Sequence, residues 1–395
     1  MNDWQEIATL TTVYFAVAVV GVVLLGRRLA FRRPSDVPLL PLQRSQFTSW
    51  HGIDVLVAFL ILQVIPGLVA ETLLKAEVFE HLYGVDVDKA IRGRGQLLAV
   101  ALASPLVIGL VILGLRQLRG TRLSEFGITP ARAGANITVG FWLWLVVTPP
   151  ALAIFFIAVL LTPEGYADEH FIGQLTEQQL AAWEWVLFFI VAVVLAPVLE
   201  EVVFRGILLP WQLQGGWEAQ AIVAFCSIVV ATMSGFRSED KPYHVGPVIF
   251  VMIMLASAFA VLYFWFGRHI ELQALPATQA VEVPNAAERL TAVPPPDASS
   301  TVSSAELHGL EAKLAALFGN TSTRPLHAAL AVYTNGLLFA AFHSAAWPSP
   351  IPLLLVGVAL AWVRYRTSSL VGAVTLHALF NAVSGLALFW KHALA

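Results

Sequence analysis

Long, continuous apolar runs separated by shorter polar stretches dominate the chain. They lie at Ile7–Leu25, Ile53–Ala70, Leu97–Leu115, Gly140–Leu161, Trp185–Leu209, Ala219–Gly235, Val245–Phe266, Leu326–Ala346, Ile351–Val363 and Ser368–Trp390. A hydrocarbon core of roughly 30 Å takes about 20 mostly apolar residues per helix. The runs also lack the period-2 alternation of a membrane β-barrel. The pattern predicts an all-α fold, a polytopic transmembrane helix bundle of about 8–10 spans, with Ile351–Val363 the shortest.

One stretch breaks the pattern. From about Gly267 to Arg324 the chain is a polar, Pro/Ala/Ser-rich insert that includes Pro294, Pro295 and Pro296. Its early part reads as a flexible linker. Its end, with Leu307, Leu310, Leu314, Leu317 and Phe318 at helical spacing, suits an amphipathic surface helix or a short helical stretch in a disordered insert. The chain then divides into N-terminal transmembrane helices (1–183), a first core segment (184–215), a segment of two spans and the polar linker (216–325), and a second core segment (326–395).

Composition agrees. Of 395 residues 58% are hydrophobic and only 12% charged, against about 25% charged in a soluble domain. The chain is read as an integral, multi-pass membrane protein with the lipid bilayer as its solvent. A net charge of -3 offers no footprint for nucleic acid, and the single cysteine, Cys226, excludes an internal disulfide framework and a Cys-rich metal site. Asp3 and Glu6 precede the first run and Arg27 and Arg28 follow it, which suits a retained span better than a cleaved signal. With the N-terminus outside, 15 of the 23 Lys and Arg fall in cytoplasmic loops and 7 in outside segments, Arg205 lying within a span. This orientation and a plasma (inner) membrane of the bacterial type are the expectation. Trp142, Trp144, Trp183 and Trp185 sit at span ends, as interfacial anchors do.

Against this background, ionisable groups inside spans stand out, because each costs several kcal/mol. They are Glu200, Glu201 and Arg205 in the fifth span, His343 in the eighth and His377 in the tenth, with Asn381 as a strong hydrogen-bonding neighbour. Their spread over three spans suggests convergence on one buried polar site. At about 100° per residue, Glu201 and Arg205 lie one turn apart on one face and can pair, while Glu200 points elsewhere. Arg205 is thus expected to neutralise Glu201, leaving Glu200 as a desolvated carboxylate suited to general-base work. Pro197, three residues earlier, should bend the helix and free a carbonyl. Two acids and one base leave a surplus negative charge that calls for a proton, a metal or another cation. Two histidines with that carboxylate could bind a divalent metal or activate water directly. No GxSxG, HExxH or phosphate-loop motif is present, which argues against serine hydrolases, soluble-type zincins and ATPases.

Three short motifs carry a resemblance. Glu200-Glu201-Val202-Val203-Phe204-Arg205-Gly206 is an EExxxRG sequence, Phe339 to His343 an FxxxH sequence and His377 to Asn381 an HxxxN sequence. In this order on apolar spans they resemble the CPBP family of intramembrane metalloproteases. That family includes the CAAX prenyl endopeptidases of the Rce1 type and bacterial relatives linked to bacteriocin processing or self-immunity. The resemblance implies an intramembrane endopeptidase cleaving membrane-associated peptides or protein C-termini, of CAAX type or in bacterial peptide processing. It gives Glu200 the role of activating water, with Glu201 and Arg205 completing its motif. His343 would assist or bind metal, and His377 and Asn381 would hold the site and stabilise the oxyanion. It further implies a divalent metal, Zn²⁺ on Glu200, His343 and His377, although a metal-independent route has been argued for the family. A departure from the family pattern is the 133-residue separation of Arg205 from Phe339, residues 206–338, which makes 216–325 an atypical insertion. Two other readings use the same residues: a secondary transporter with an intramembrane Glu/His cation relay, and a non-catalytic self-immunity or scaffold membrane protein.

Overall fold

The computed structural model describes residues 48–75, 90–130, 132–162, 180–235, 243–274 and 325–394. Among them are nine helices and no strand: α1 (Gly52–Lys75), α2 (Ala90–Arg119), α3 (Ala133–Leu161), α4 (Ala182–Gln214), α5 (Gly216–Ser234), α6 (Gly246–Ala274), α7 (Pro325–Phe342), α8 (Pro350–Thr367) and α9 (Leu370–Leu394). The protein is a polytopic helical membrane protein. α1 to α5 and α9 are each long and apolar enough to cross a bilayer, and α6 and α7 carry shorter apolar stretches at Gly246–Val261 and Leu326–Phe342.

Every expected span but Ile7–Leu25 coincides with one of these helices; that run and the stretch 307–318 lie outside the described residues. Two readings need correction. α6 continues through residue 274, into what the sequence suggested was linker, because Arg268, Ile270, Glu271, Leu272, Gln273 and Ala274 sustain a helix without a breaker. Trp185 is not an interfacial anchor. It is 6% exposed and meets the ring edges of Phe188 and Phe389 at 5.6 and 5.1 Å, joining α4 to α9. Aromatic contact on three sides outweighs the pull of the interface on the indole N–H.

α4 is the axis of the bundle. It touches α1, α2, α5, α7, α8 and α9, and every residue from Glu201 to Pro210 is buried. By contrast α1 turns Ile53, Leu56, Leu60, Val64 and Leu68 outward at helical spacing, the face of a helix solvated by lipid.

α4 is also not a uniform α-helix. Two wide, π-helical stretches, Ile190–Leu195 and Glu201–Leu208, flank a short α-helical segment at Ala196–Glu200. Pro197 lies in that segment and cannot donate a backbone hydrogen bond. The Ala196 N–H bonds Val191 O, five residues back. The next bond of that ladder would run from residue 197 to Ala192 O, and proline cannot make it. The sequence expectation that Pro197 frees a carbonyl is met here at Ala192.

Close backbone crossings set the positions of α7, α8 and α9. A Cβ on Gly336 of α7 would lie 2.6 Å from Val358 N of α8, and one on Gly140 of α3 only 2.4 Å from Gly372 O of α9. Small residues at such crossings are what allows helices in lipid to approach closely, where no hydrophobic force drives them together. Accordingly, Gly336→Leu and Gly140→Leu should each lower the thermal unfolding midpoint in detergent, at a cost of about 1–3 kcal/mol or more. Gly114→Ala, where a Cβ meets nothing within 4 Å, should not.

Candidate active site

The three motif helices meet at Glu201. Its carboxylate is 0% exposed, one turn before Arg205 on α4, and Oε1 accepts from Arg205 Nη1 at 3.0 Å. The same oxygen accepts from His377 Nδ1 of α9 at 2.9 Å. Arg205, also 0% exposed, donates through Nη2 to Gly357 O of α8 at 3.1 Å. It also places its guanidinium carbon 4.3 Å from the centre of the Phe339 ring of α7, a cation–π contact. Four helices are tied together at one buried ion pair. Two atoms of the pair, Glu201 Oε2 and Arg205 Nε, are buried without a hydrogen-bond partner.

Glu200 is placed differently, as the helix geometry required. Its side chain is 23% exposed, and its Oε2 stands 3.8 Å from His377 Nε2, beyond direct hydrogen-bond length. That oxygen is buried and has no partner. Because Glu201 Oε1 also receives Arg205, His377 Nδ1 must be the donor in its bond to Glu201, and a neutral ring then carries its lone pair on Nε2, facing Glu200. At that separation the two atoms are not bonded directly to each other, and Glu200 Oε2 keeps its acceptor capacity.

His343 follows the last turn of α7. Its Nδ1 donates to Phe339 O at 2.9 Å, which leaves Nε2 as the free acceptor. Its ring packs on Phe339 at 4.8 Å between centroids, while His377 meets the same phenyl at 5.6 Å. The motif phenylalanine is therefore the surface on which Arg205 and both histidines rest. Asn381, one turn past His377, donates from Nδ2 to Ala192 O at 2.9 Å. This is the carbonyl left open by Pro197. Asn381 thus closes the gap in α4 and keeps one amide hydrogen for another partner.

The donor chemistry of Glu200, His343 and His377 suits zinc, but their arrangement does not. The Nδ1 bonds of His377 and His343 leave Nε2 of each open, as in histidines that ligate metals, but among the described residues no group of three His, Cys, Asp or Glu is gathered closely enough to hold one. No step below passes through one.

Sequence reasoning overlooked several polar residues that brace the site. Trp50 Nε1 donates to Ile207 O at 3.1 Å, its ring stacked on Phe126. Asn335 of α7, 0% exposed, donates to Phe204 O at 2.9 Å and to Gln212 Oε1 at 3.0 Å. Gln212 Nε2 in turn reaches Gln220 Oε1 of α5 and Thr334 Oγ1 of α7. A search for ionisable groups passes over such amides. The available signal was spacing: Asn335, Phe339 and His343 lie at i, i+4 and i+8.

Comparison with protein families gives a match over the segments that carry these residues. Residues 182–274 and 314–383 match the family model described as type II CAAX prenyl endopeptidase Rce1-like. The matched stretches contain all three motifs. Over these stretches the chain is similar to the Rce1-like family. Within the 216–325 segment, only residues 275–313 of the Rce1-like region are unmatched, so α5 and α6 fall inside the match. Comparisons with curated proteins and with solved structures return no match.

Removing one partner of a buried ion pair strands the other charge, at about 3–5 kcal/mol. Arg205→Ala should therefore lose monodispersity and thermal stability in detergent. Glu200→Gln, at the partly exposed position, should keep both.

Proposed function

We propose that this protein is an intramembrane endopeptidase in which Glu200 acts as general base on a water held between its carboxylate and His377. At the level of the family, an Rce1-like chain is a protease of the CAAX type; the residue roles are our own reading. The observation that carries it is the unequal treatment of the two adjacent acids. Glu201 is neutralised by Arg205 and fixes the His377 tautomer at 2.9 Å, whereas Glu200 Oε2 is left without a partner 3.8 Å from the free nitrogen of the same ring.

Glu201 and Arg205 are structural in this scheme, one orienting His377 and the other balancing charge. His377 Nε2 and Glu200 accept the two hydrogens of the water, and Glu200 takes the proton as the water oxygen bonds to the peptide carbonyl carbon. The tetrahedral intermediate collapses with cleavage of the C–N bond, and protonated Glu200 returns its proton to the leaving amine. His343 Nε2 is an alternative acceptor for the hydrogen that His377 Nε2 holds. The remaining amide hydrogen of Asn381 is the donor for the oxyanion, a contact of a kind worth about 3 kcal/mol. The substrate is a membrane-associated peptide or protein C-terminus, since a site enclosed by spanning helices is reached most directly from within the bilayer.

Purified protein in detergent or proteoliposomes, supplied with a fluorogenic CAAX-type peptide with and without a prenyl group, provides the test. Glu200→Gln should reduce kcat by about 100-fold or more, the usual loss for a general base, with an unchanged unfolding midpoint. Wild-type turnover by folded Glu200→Gln would reject the mechanism. Preference for the prenylated peptide would identify the CAAX-type substrate.

A further inference from the structure

The amide chain that braces α4 has a consequence for the reaction. We infer that Asn335 is a positioning residue, fixing the register along α4 of α7, the helix that leads into His343. The inference rests on the reading of Glu200 and His343 above.

The contacts fix the relative direction of the two helices. Near the end of α4, Leu209 and Leu213 pack with Ala328, Ala331 and Val332 early in α7. Further back on α4, Phe204 meets Asn335 through its carbonyl and Phe339 and Phe342 through its ring, at 5.5 Å in both ring contacts. The helices are antiparallel, and the Phe204–Asn335 bond is the pin between them. From that pin, Glu200 is four residues back along α4, about 6 Å, and His343 is eight residues on along α7, about 12 Å, in the same direction. The His343 ring turns back toward its own helix, donating to Phe339 O at 2.9 Å, which narrows the difference. A slip of α7 by a single turn, about 5.4 Å, would change the depth of His343 relative to Glu200 by about as much as separates the two along the helices.

The close crossing at Gly336 holds α7 against α8, but where α7 packs on Leu209 and Leu213 of α4 it offers Ala328, Ala331 and Val332, mostly small side chains. A directional bond adds what that packing lacks along α4. Phe204 O lies in the wide stretch of α4, where it also accepts the N–H of Leu209. Asn335 Nδ2 spends one hydrogen there and the other on Gln212 Oε1, two turns further on, so a single amide ties the middle of the wide stretch to the regular turn that follows it. Gln212 is itself held by Gln220 and Thr334. In a medium without water, a misplaced Asn335 would leave buried donors unpaired, and that cost selects one register.

Asn335→Leu removes the donor at nearly constant volume, and Asn335→Ser keeps a shorter one. Both are measured as full-length protein with the fluorogenic peptide, beside His343→Ala and the double variant Asn335→Leu/His343→Ala. Asn335→Leu should lower kcat about ten-fold or more while KM changes by about two-fold or less, because binding surfaces are untouched. Asn335→Ser should show the same split in smaller measure, and it answers the question if Asn335→Leu does not fold. The double variant should be no slower than His343→Ala alone, the non-additivity expected of groups acting as a unit. Wild-type kcat in both folded Asn335 variants, a loss confined to KM, or fully additive losses in the double variant would overturn the inference. Normal turnover by Glu200→Gln with the non-additivity intact would reject the general-base reading and keep the register role of Asn335.

Discussion

A buried ion pair is an expensive object in a protein that sits in lipid, and this bundle is organised around one. Glu201 and Arg205 are both removed from solvent and one turn apart on α4. Their mutual attraction offsets the loss of hydration only when further groups complete the shell. Those groups come from three other helices: His377 from α9, the Gly357 carbonyl from α8 and the Phe339 ring from α7. Each is needed to make the pair tolerable, so the pair dictates where α7, α8 and α9 stand.

The same requirement explains the neighbouring features. Gly336 and Gly357 lack side chains where α7 and α8 cross, and only that closeness lets Arg205 reach both the Gly357 carbonyl and Phe339. Pro197 breaks the regular ladder of α4 at Ala192 O, where Asn381 supplies a bond, and Asn335 at Phe204 O and Trp50 at Ile207 O add further side-chain bonds along the wide stretch. In this bundle the irregular helix is the one that the others grip. Widened turns place successive residues on different neighbours, which is how adjacent Glu200 and Glu201 come to have different surroundings.

Function follows from that difference. Glu201 is held by two donors and is part of the framework, while Glu200 retains an oxygen without a partner and a degree of exposure. One histidine touches both acids and thereby couples framework to reactive group. In the proposed mechanism Glu200 is the base free to take a proton and Glu201 holds its neighbours in place, so the two acids divide these tasks.

Much of this was legible from the residues alone. Continuous apolar runs specify helices, since a chain in lipid must satisfy its backbone internally, and each such run among the described residues is helical, six of these helices being long and apolar enough to cross a bilayer. The pairing of Glu201 with Arg205, the separate direction of Glu200 and the carbonyl opened by Pro197 follow from helical angles and proline chemistry, which are local. What the sequence could not determine was every relation between helices. That His377 bridges the two acids, that Asn381 closes the Ala192 gap, and that Asn335 ties α7 to α4 depend on residues far apart in the chain meeting across crossings that only packing sets. The expected zinc ligands illustrate the limit: three residues with suitable chemistry were identifiable by type, but whether their free nitrogens and oxygens converge is decided by helix depth and rotation, quantities that spacing along a single helix does not contain.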